Sequence, residues 1–248
     1  MRALAVVIVA ALIATSCGSG ESTSDADVIV FAAASLTAAF TELGDAFAAE
    51  RPGAEVTFNF AGSSGLAAQL SEDARADVFA SADLANMARL EDAGGLARSP
   101  RLFATNVAEI IVEAGNPNGI ASVADLADDD LVVVQCAPQV PCGGYADQVL
   151  ANAGVSVTPK SFEANVSGVV TKVAVGEADA GIVYRTDVLE AGDRAGGVEI
   201  PGEINVVARY PIAITTQAPN PAGAAGFVDF VLSDAGQSII ASYGFGEP

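Results

Sequence analysis

The chain has 248 residues, of which 51% are hydrophobic, a net charge of −20 and no histidine. The absence of histidine excludes Ser-His-Asp and Cys-His catalytic sites and most zinc and copper sites. The excess of acidic groups disfavours nucleic acids and acidic membrane surfaces as partners. It does not exclude an anionic ligand, because backbone dipoles in a buried site attract an anion whatever the net charge of the protein.

The first residues predict an export signal. Arg2 precedes an apolar run over residues 3–14, which is short of the ~20 residues that span a bilayer and typical of a signal peptide. Small residues then lead into Cys17, as in bacterial lipoprotein signals, where the cysteine is acylated. We therefore expect a signal peptide over residues 1–16, a flexible tether over 17–27 and a lipid anchor on the outer face of the membrane. The alternative is an ordinary cleaved signal with a chance cysteine.

The next part of the chain alternates short apolar runs with Ala-rich segments of helical length. This alternation favours an α/β fold with a largely parallel sheet. We predict strands at 28–32, 56–60 and 78–81, and helices at 36–50, 66–71 and 84–93. Asp83 is expected to cap the last of these helices.

After residue 106 the pattern changes. An extended segment at 107–113 ends at the turn signal Asn116-Pro117. Further strands are predicted at 131–135, 180–184 and 206–209, and helices at 145–153, 169–175, 222–232 and 235–243. The order suggests that the chain builds one lobe, crosses to a second and returns. We predict a first lobe of residues 28–105 and 211–248, a second of 106–210, and a ligand cleft between them.

Two cysteines remain in the predicted exported domain, Cys136 and Cys142. An even pair in an oxidising compartment favours a disulfide. Two free thiols or half of a metal site are the alternatives, and a zinc site would need ligands that this chain lacks.

Four places share one arrangement, in which a strand or turn ends, small residues follow and a helix begins. Helix N-termini leave backbone N–H groups unpaired and carry partial positive charge, so they bind anions without cationic side chains. Ser35 and Ser63 could also be plain helix caps. The four places are Ala34-Ser35-Leu36, Gly62-Ser63-Ser64-Gly65, Pro141-Cys142-Gly143-Gly144 and Asn165-Val166-Ser167-Gly168.

Five segments carry a family resemblance. They are VFAAASLTAAF (Val30–Phe40), FAGSSGLAAQL (Phe60–Leu70), ADVFASAD (Ala76–Asp83), VPCGGYA (Val140–Ala146) and AGIVY (Ala180–Tyr184). In this order and spacing they resemble successive blocks of the periplasmic molybdate-binding proteins of ABC importers, in the type II solute-binding protein family. The resemblance covers nearly all of the chain after the tether.

The resemblance implies an α/β fold of two lobes, each a mostly parallel sheet flanked by helices, with an oxyanion in the cleft. It implies that Ser35 and Ser63 each offer a hydroxyl and a backbone N–H, that Cys142 and Val166 offer backbone N–H groups, and that Tyr184 offers its phenol. Molybdate would thus be bound only through its oxygens. Cys142 departs from the family pattern, where alanine is common, but a backbone donor tolerates the change.

The implied function is a solute-binding lipoprotein that captures molybdate or tungstate for an ABC transporter permease. No enzyme activity, cofactor or nucleic-acid partner is expected, and the protein is expected to be a monomer. The nearest alternative is a binding protein for another oxyanion, such as sulfate or phosphate. An exported serine hydrolase built on Gly62–Gly65 is a more distant one, because the segment is not a Gly-x-Ser-x-Gly elbow and no histidine can act as base.

Overall fold

The structure is a computed structural model that describes residues 27–248. The predicted signal peptide, Cys17 and all of the predicted tether before residue 27 lie outside the described residues. The nine strands within that range are β1 (Val28–Ala33), β2 (Val56–Ala61), β3 (Val78–Ala80), β4 (Arg101–Glu113), β5 (Val134–Cys136), β6 (Ser161–Glu163), β7 (Ala180–Tyr184), β8 (Ala195–Glu199) and β9 (Val207–Ile214). The α/β fold class is confirmed.

Eight α-helices connect and follow these strands in the described part of the chain. They are α1 (Thr37–Glu50), α2 (Ser63–Ser71), α3 (Leu84–Asp92), α4 (Pro141–Ala153), α5 (Val166–Ala174), α6 (Arg185–Ala191), α7 (Pro221–Val231) and α8 (Asp234–Ser242). None of the helices in residues 27–248 is long and apolar enough to cross a bilayer.

The long strand β4 links two groups of strands. In one group β2, β1 and β3 are parallel, and β9 is antiparallel to β3. Residues 101–107 of β4 pair with β9, whereas residues 108–113 pair with β7 and β8. In the second group β5 and β6 are parallel, and an isolated parallel bridge joins Val133 to Ala180 beside them.

The predicted parallel pairing is found for β1, β2 and β3 and for β5 and β6. Antiparallel pairs with β4 and β9 make both groups mixed. β4 and β9 run between the two groups as an antiparallel pair. β9 is antiparallel to β3 in the first group, and β4 is antiparallel to β7 in the second. Strand β4 changes partners at Val107 and Ala108, next to the lobe boundary that we predict at residues 105 and 106. The bounds of the two lobes remain our proposal.

Three helices begin earlier than the apolar pattern predicts. α2 begins at Ser63 instead of Leu66, α4 at Pro141 instead of Tyr145, and α5 at Val166 instead of Val169. Each first turn contains glycine or serine, which weakens the helical hydrophobic pattern although the backbone is helical. β6, α6 and β8 were not predicted, and α6 follows β7 with no turn residue between them.

Apolar side chains fill the space between the sheet and its helices. Around α1 and α7 the rings of Phe40, Phe47 and Phe227 pack edge to face, with centroids 5.4 to 6.2 Å apart where they meet. A separate cluster around Ile110, Ile182 and Val149 lies under α4. The cluster that contains these phenylalanine rings continues across the junction of the lobes to Val166 and Tyr184, so helix starts of both lobes pack against one apolar core.

Candidate anion-binding site

The five residues predicted to bind an oxyanion line one small cavity. Ser35 and Ser63 contribute from the first lobe, and Cys142, Val166 and Tyr184 from the second. The cavity is far smaller than the ~300–1,000 Å³ of sites for drug-sized molecules. The cavity therefore suits a ligand of only a few atoms.

Helix starts from both lobes converge on this cavity. Ser63 and Val166 are the first residues of α2 and α5, and Cys142 is the second residue of α4. Ser35 lies in a short 3-10 turn, Ala34–Leu36, that leads into α1. The described lining residues include no lysine or arginine, so the positive potential must come from the unpaired N–H groups and dipoles of the helix starts.

The two serine hydroxyls are both held by protein groups. The Ser63 Oγ accepts a hydrogen bond from the Ala82 backbone N–H at 3.0 Å, which leaves the hydroxyl proton free to donate elsewhere. The Ser35 Oγ lies 3.1 Å from the phenolic oxygen of Tyr210. Both serines are buried, so each hydroxyl is fixed in position before a ligand arrives.

Tyr184 presents a buried phenol with no protein partner. Its side chain is only 2% exposed, and within the described residues its hydroxyl is the buried side-chain polar atom left without a hydrogen bond. Buried polar groups in folded proteins are nearly always paired, so such an atom calls for an explanation. Burial raises the pKa of Tyr184 well above its ordinary value, so the phenol stays neutral and can donate.

Asp187 lies just behind Tyr184, and its burial reduces the negative charge that it carries near neutral pH. It is buried in the first turn of α6 and accepts a hydrogen bond from the Tyr184 backbone N–H at 2.9 Å. Burial raises its pKa to about 7, against the opposing effect of that hydrogen bond. Near neutral pH the group is therefore protonated much of the time, which limits its repulsion of an anion in the cavity.

A disulfide bond closes the loop that carries Cys142. The Sγ atoms of Cys136 and Cys142 are 2.02 Å apart, at disulfide-bond distance, and join the end of β5 to the first turn of α4. Next to them, a Cβ atom on Gly143 would lie 2.1 Å from the Ala137 carbonyl oxygen. Glycine and the bridge together fix where the Cys142 amide lies. Oxidation of this pair in the cell remains a prediction.

Other predictions near the site have clear outcomes. Asp83 caps α3, accepting from the Asn86 N–H at 2.9 Å, as predicted. Asn165 caps α5 by accepting from the Gly168 N–H, and it also lines the cavity. The sequence showed Asn165 only as a polar residue before a helix. Tyr210 was not predicted to lie near the site. It is 175 positions along the chain from Ser35, which it contacts, and no local pattern links the two residues.

Comparison with known proteins agrees with this arrangement. Residues 28–246 match the family of bacterial extracellular solute-binding proteins. The chain is 44% identical to the molybdate-binding protein ModA of Mycobacterium tuberculosis over 98% of this chain and 95% of that protein. The fold is similar to the molybdate-binding protein of Azotobacter vinelandii (TM-score 0.76, 21% identity, 89% of this chain and 99% of that one). It is also similar to the sulfate-binding protein SubI of Mycobacterium tuberculosis (TM-score 0.78, 18% identity, 89% and 86%).

Proposed function

The chain belongs to the bacterial extracellular solute-binding protein family, and we propose that it captures molybdate or tungstate and delivers the anion to an ABC transporter permease. The oxyanion would lie in the cavity between the lobes, held through its oxygens by Ser35, Ser63, Cys142, Val166 and Tyr184. The 44% identity to a molybdate-binding protein over nearly the full length supports this choice of ligand.

The observation that carries the proposal is the unpartnered phenol of Tyr184. A buried donor without a protein partner, beside four helix starts, fits a ligand that accepts hydrogen bonds from both lobes at once. A dianion with four oxygens satisfies these donors without needing any cationic side chain. No resident cofactor enters the proposal.

The donor set is strong enough for tight binding. Each serine offers a hydroxyl and a backbone N–H, and the other three residues offer one donor each, which gives seven. A hydrogen bond to a charged group contributes about 1.5–3 kcal/mol, so seven amount to roughly 10–20 kcal/mol. Association and lobe closure cost several kcal/mol of this or more. Sub-micromolar to nanomolar affinity, about −8 to −12 kcal/mol, is within reach.

Two other functions fit less well. Sulfate or phosphate is the nearer alternative, because a sulfate-binding protein shares the fold and the fold alone does not select the ligand. A serine hydrolase fits poorly, since the Ser63 Oγ accepts from the Ala82 N–H and the chain has no histidine to act as base. The relatives are solute-binding proteins, and we propose that this chain is likewise not an enzyme.

Binding of a panel of oxyanions tests the ligand. We expect molybdate and tungstate to bind most tightly, sulfate well behind and phosphate last, because a donor-only site leaves the phosphate proton unpaired at a cost of about 1–3 kcal/mol. A ligand at 100 times its Kd should stabilise the purified protein by about 2.7 kcal/mol, which thermal-shift scanning detects and titration calorimetry quantifies. Sulfate or phosphate binding as tightly as molybdate would contradict the assignment.

We further propose that the protein is a monomer anchored to the outer face of the cell membrane through a lipid on Cys17. The support is the sequence alone, since this cysteine follows a short apolar run and small residues. Cys17→Ser should move the protein from the membrane to the soluble fraction, with oxyanion affinity unchanged. Membrane fractions still containing the variant at the wild-type level would rule out the anchor.

A further inference from the structure

Ala108 lies at the point where the long strand β4 changes partners. On this side of β4, β9 pairs with residues up to Val107 and β8 pairs from Glu109 onwards, and Ala108 pairs with neither strand. Ala108 is buried, so its backbone N–H and C=O groups need partners from elsewhere in the protein. Without such partners, β4 would be weakly held at the junction of the two lobes.

The side chain of Asn205 supplies these partners. Its Oδ1 accepts from the Ala108 N–H at 3.1 Å, and its Nδ2 donates to the Ala108 carbonyl at 2.9 Å. The carboxamide therefore pairs with β4 as the backbone of a strand residue would. Oδ1 also accepts from the Val206 N–H at 2.7 Å, and Nδ2 also donates to the Ile200 carbonyl at 3.1 Å. The two donors and two acceptor positions of the asparagine side chain are thus all used.

The segment that connects β8 to β9, residues 200–206, is folded so that Asn205 returns to β4. The Pro201 carbonyl accepts from the N–H groups of Ile204 and Asn205, each at 3.0 Å. The resulting turn lets the whole connecting segment pass a single residue of β4. A second asparagine, Asn152 of α4, donates to the Ile204 carbonyl at 3.1 Å. Asn152 therefore bonds the same segment, but at the turn and not at β4.

Ala108 is linked to the anion site through its neighbour on the other side. In the antiparallel pair of β4 and β7 it lies opposite Tyr184, whose phenol has no hydrogen-bond partner among the described residues. Neither Asn205 nor Ala108 lines the cavity. Asn205 therefore acts on a ligand through the backbone of β4, which determines where β7 and Tyr184 lie relative to the first lobe.

We infer that Asn205 is a positioning residue for anion capture, which fixes β4 at Ala108 and thereby the angle at which the donors of the two lobes meet. The inference rests on the proposed function and deepens it, since it names a residue outside the ligand set that controls lobe closure. A protein that samples many angles between its lobes binds with an apparent affinity reduced by the fraction of molecules able to close. Loss of the Asn205 bonds should lower that fraction while every donor to the ligand remains.

Asn205→Ala tests this role, with Asn152→Ala as the matched control. Each variant deletes an asparagine that bonds the segment between β8 and β9, but only Asn205 also bonds β4. We expect Asn205→Ala to bind molybdate about tenfold more weakly by titration calorimetry, because two hydrogen bonds that fix β4 are lost. Asn152→Ala should bind molybdate like the wild type.

Two further measurements distinguish positioning from a general loss of stability. Hydrogen exchange followed by NMR should show faster exchange of the Ala108 amide in Asn205→Ala and no change there in Asn152→Ala. Small-angle scattering of the ligand-free proteins should give a larger radius of gyration for Asn205→Ala only. A variant that is merely less stable would unfold at a lower temperature and yet bind molybdate normally at temperatures where it is folded.

Asn205→Asp gives a second reading if the alanine variant does not fold. It keeps the two accepted bonds and replaces the two donated ones with a carboxylate oxygen facing the Ala108 and Ile200 carbonyls, so molybdate affinity should again fall several-fold. Wild-type affinity in a folded Asn205 variant, or an equal loss in Asn152→Ala, would overturn the inference and leave the proposed function intact. A wild-type protein that binds no oxyanion would overturn both.

Discussion

Replacing Gly62 with alanine is expected to weaken molybdate binding by at least about 100-fold while the fold stays intact. Gly62 precedes α2 with φ −61° and ψ 134°, a conformation that alanine adopts without strain. A Cβ atom there would lie 2.5 Å from the Ala164 carbonyl oxygen and 3.4 Å from the Val140 Cγ1. Both of these neighbours belong to the second lobe, so the added methyl group would hold the lobes apart at the cavity.

The expected loss of molybdate affinity follows from the hydrogen-bond donors that would no longer reach the ligand. Cys142, Val166 and Tyr184 all approach the cavity from the second lobe. Losing two hydrogen bonds to a charged ligand costs about 3–6 kcal/mol, or roughly 10²- to 10⁴-fold in affinity. Titration calorimetry gives the affinity, and small-angle scattering with and without molybdate shows whether the lobes still close.

Gly65→Ala is the matched control for this experiment. Gly65 lies in the first turn of α2, the helix that Gly62 precedes, and a Cβ atom there would meet no atom within 4 Å. Alanine also favours the helix over glycine, so this variant should keep full affinity and be at least as stable as the wild type. Wild-type affinity in Gly62→Ala would show that the contact between Gly62 and Ala164 does not govern closure.

Replacing Tyr184 with phenylalanine is expected to reduce molybdate affinity by about 10- to 150-fold with little change in the stability of the ligand-free protein. The variant deletes a single donor to a charged ligand, worth about 1.5–3 kcal/mol. It removes no protein hydrogen bond, since the phenol has no partner in the described part of the chain. Ring packing against Tyr145 and Tyr210 would remain.

Two measurements separate this result from a general loss of structure. Thermal unfolding without ligand should match the wild type, whereas the stabilisation by molybdate should fall with the affinity. Tyr243→Phe serves as the control, because its phenol lies at the surface, donates to Glu42 at 2.7 Å and does not line the cavity. Undiminished molybdate affinity in Tyr184→Phe would remove this phenol from the ligand set.

Much of the site could be predicted from the sequence because its parts are local. An unpaired N–H at a helix start depends only on the residues around that start, and small residues before an apolar run mark such a place. Ser35, Ser63, Cys142 and Val166 were found in this way, together with the family resemblance, and the structure brings them around one cavity. The exclusion of histidine chemistry likewise required nothing beyond the composition.

Other features depend on which segments pair across the fold. The sheets are mixed because β4 and β9 cross between the lobes as an antiparallel pair, and neither strand signals its direction locally. The sequence pattern did not predict that α4 begins at Pro141 and α5 at Val166, because the glycine and serine residues of these first turns do not continue an apolar pattern.

The sequence by itself determined which segments form most of the helices, the exclusion of histidine chemistry and the candidate donors. Only the tertiary structure decided how those donors are used. The Tyr210 phenol reaches Ser35 across 175 positions, Gly62 meets the Ala164 carbonyl, and Tyr184 is left without a protein partner. The physical reason is that hydrogen-bond direction and close contact depend on which groups become neighbours in space, whereas helix propensity and capping depend on neighbours in the chain.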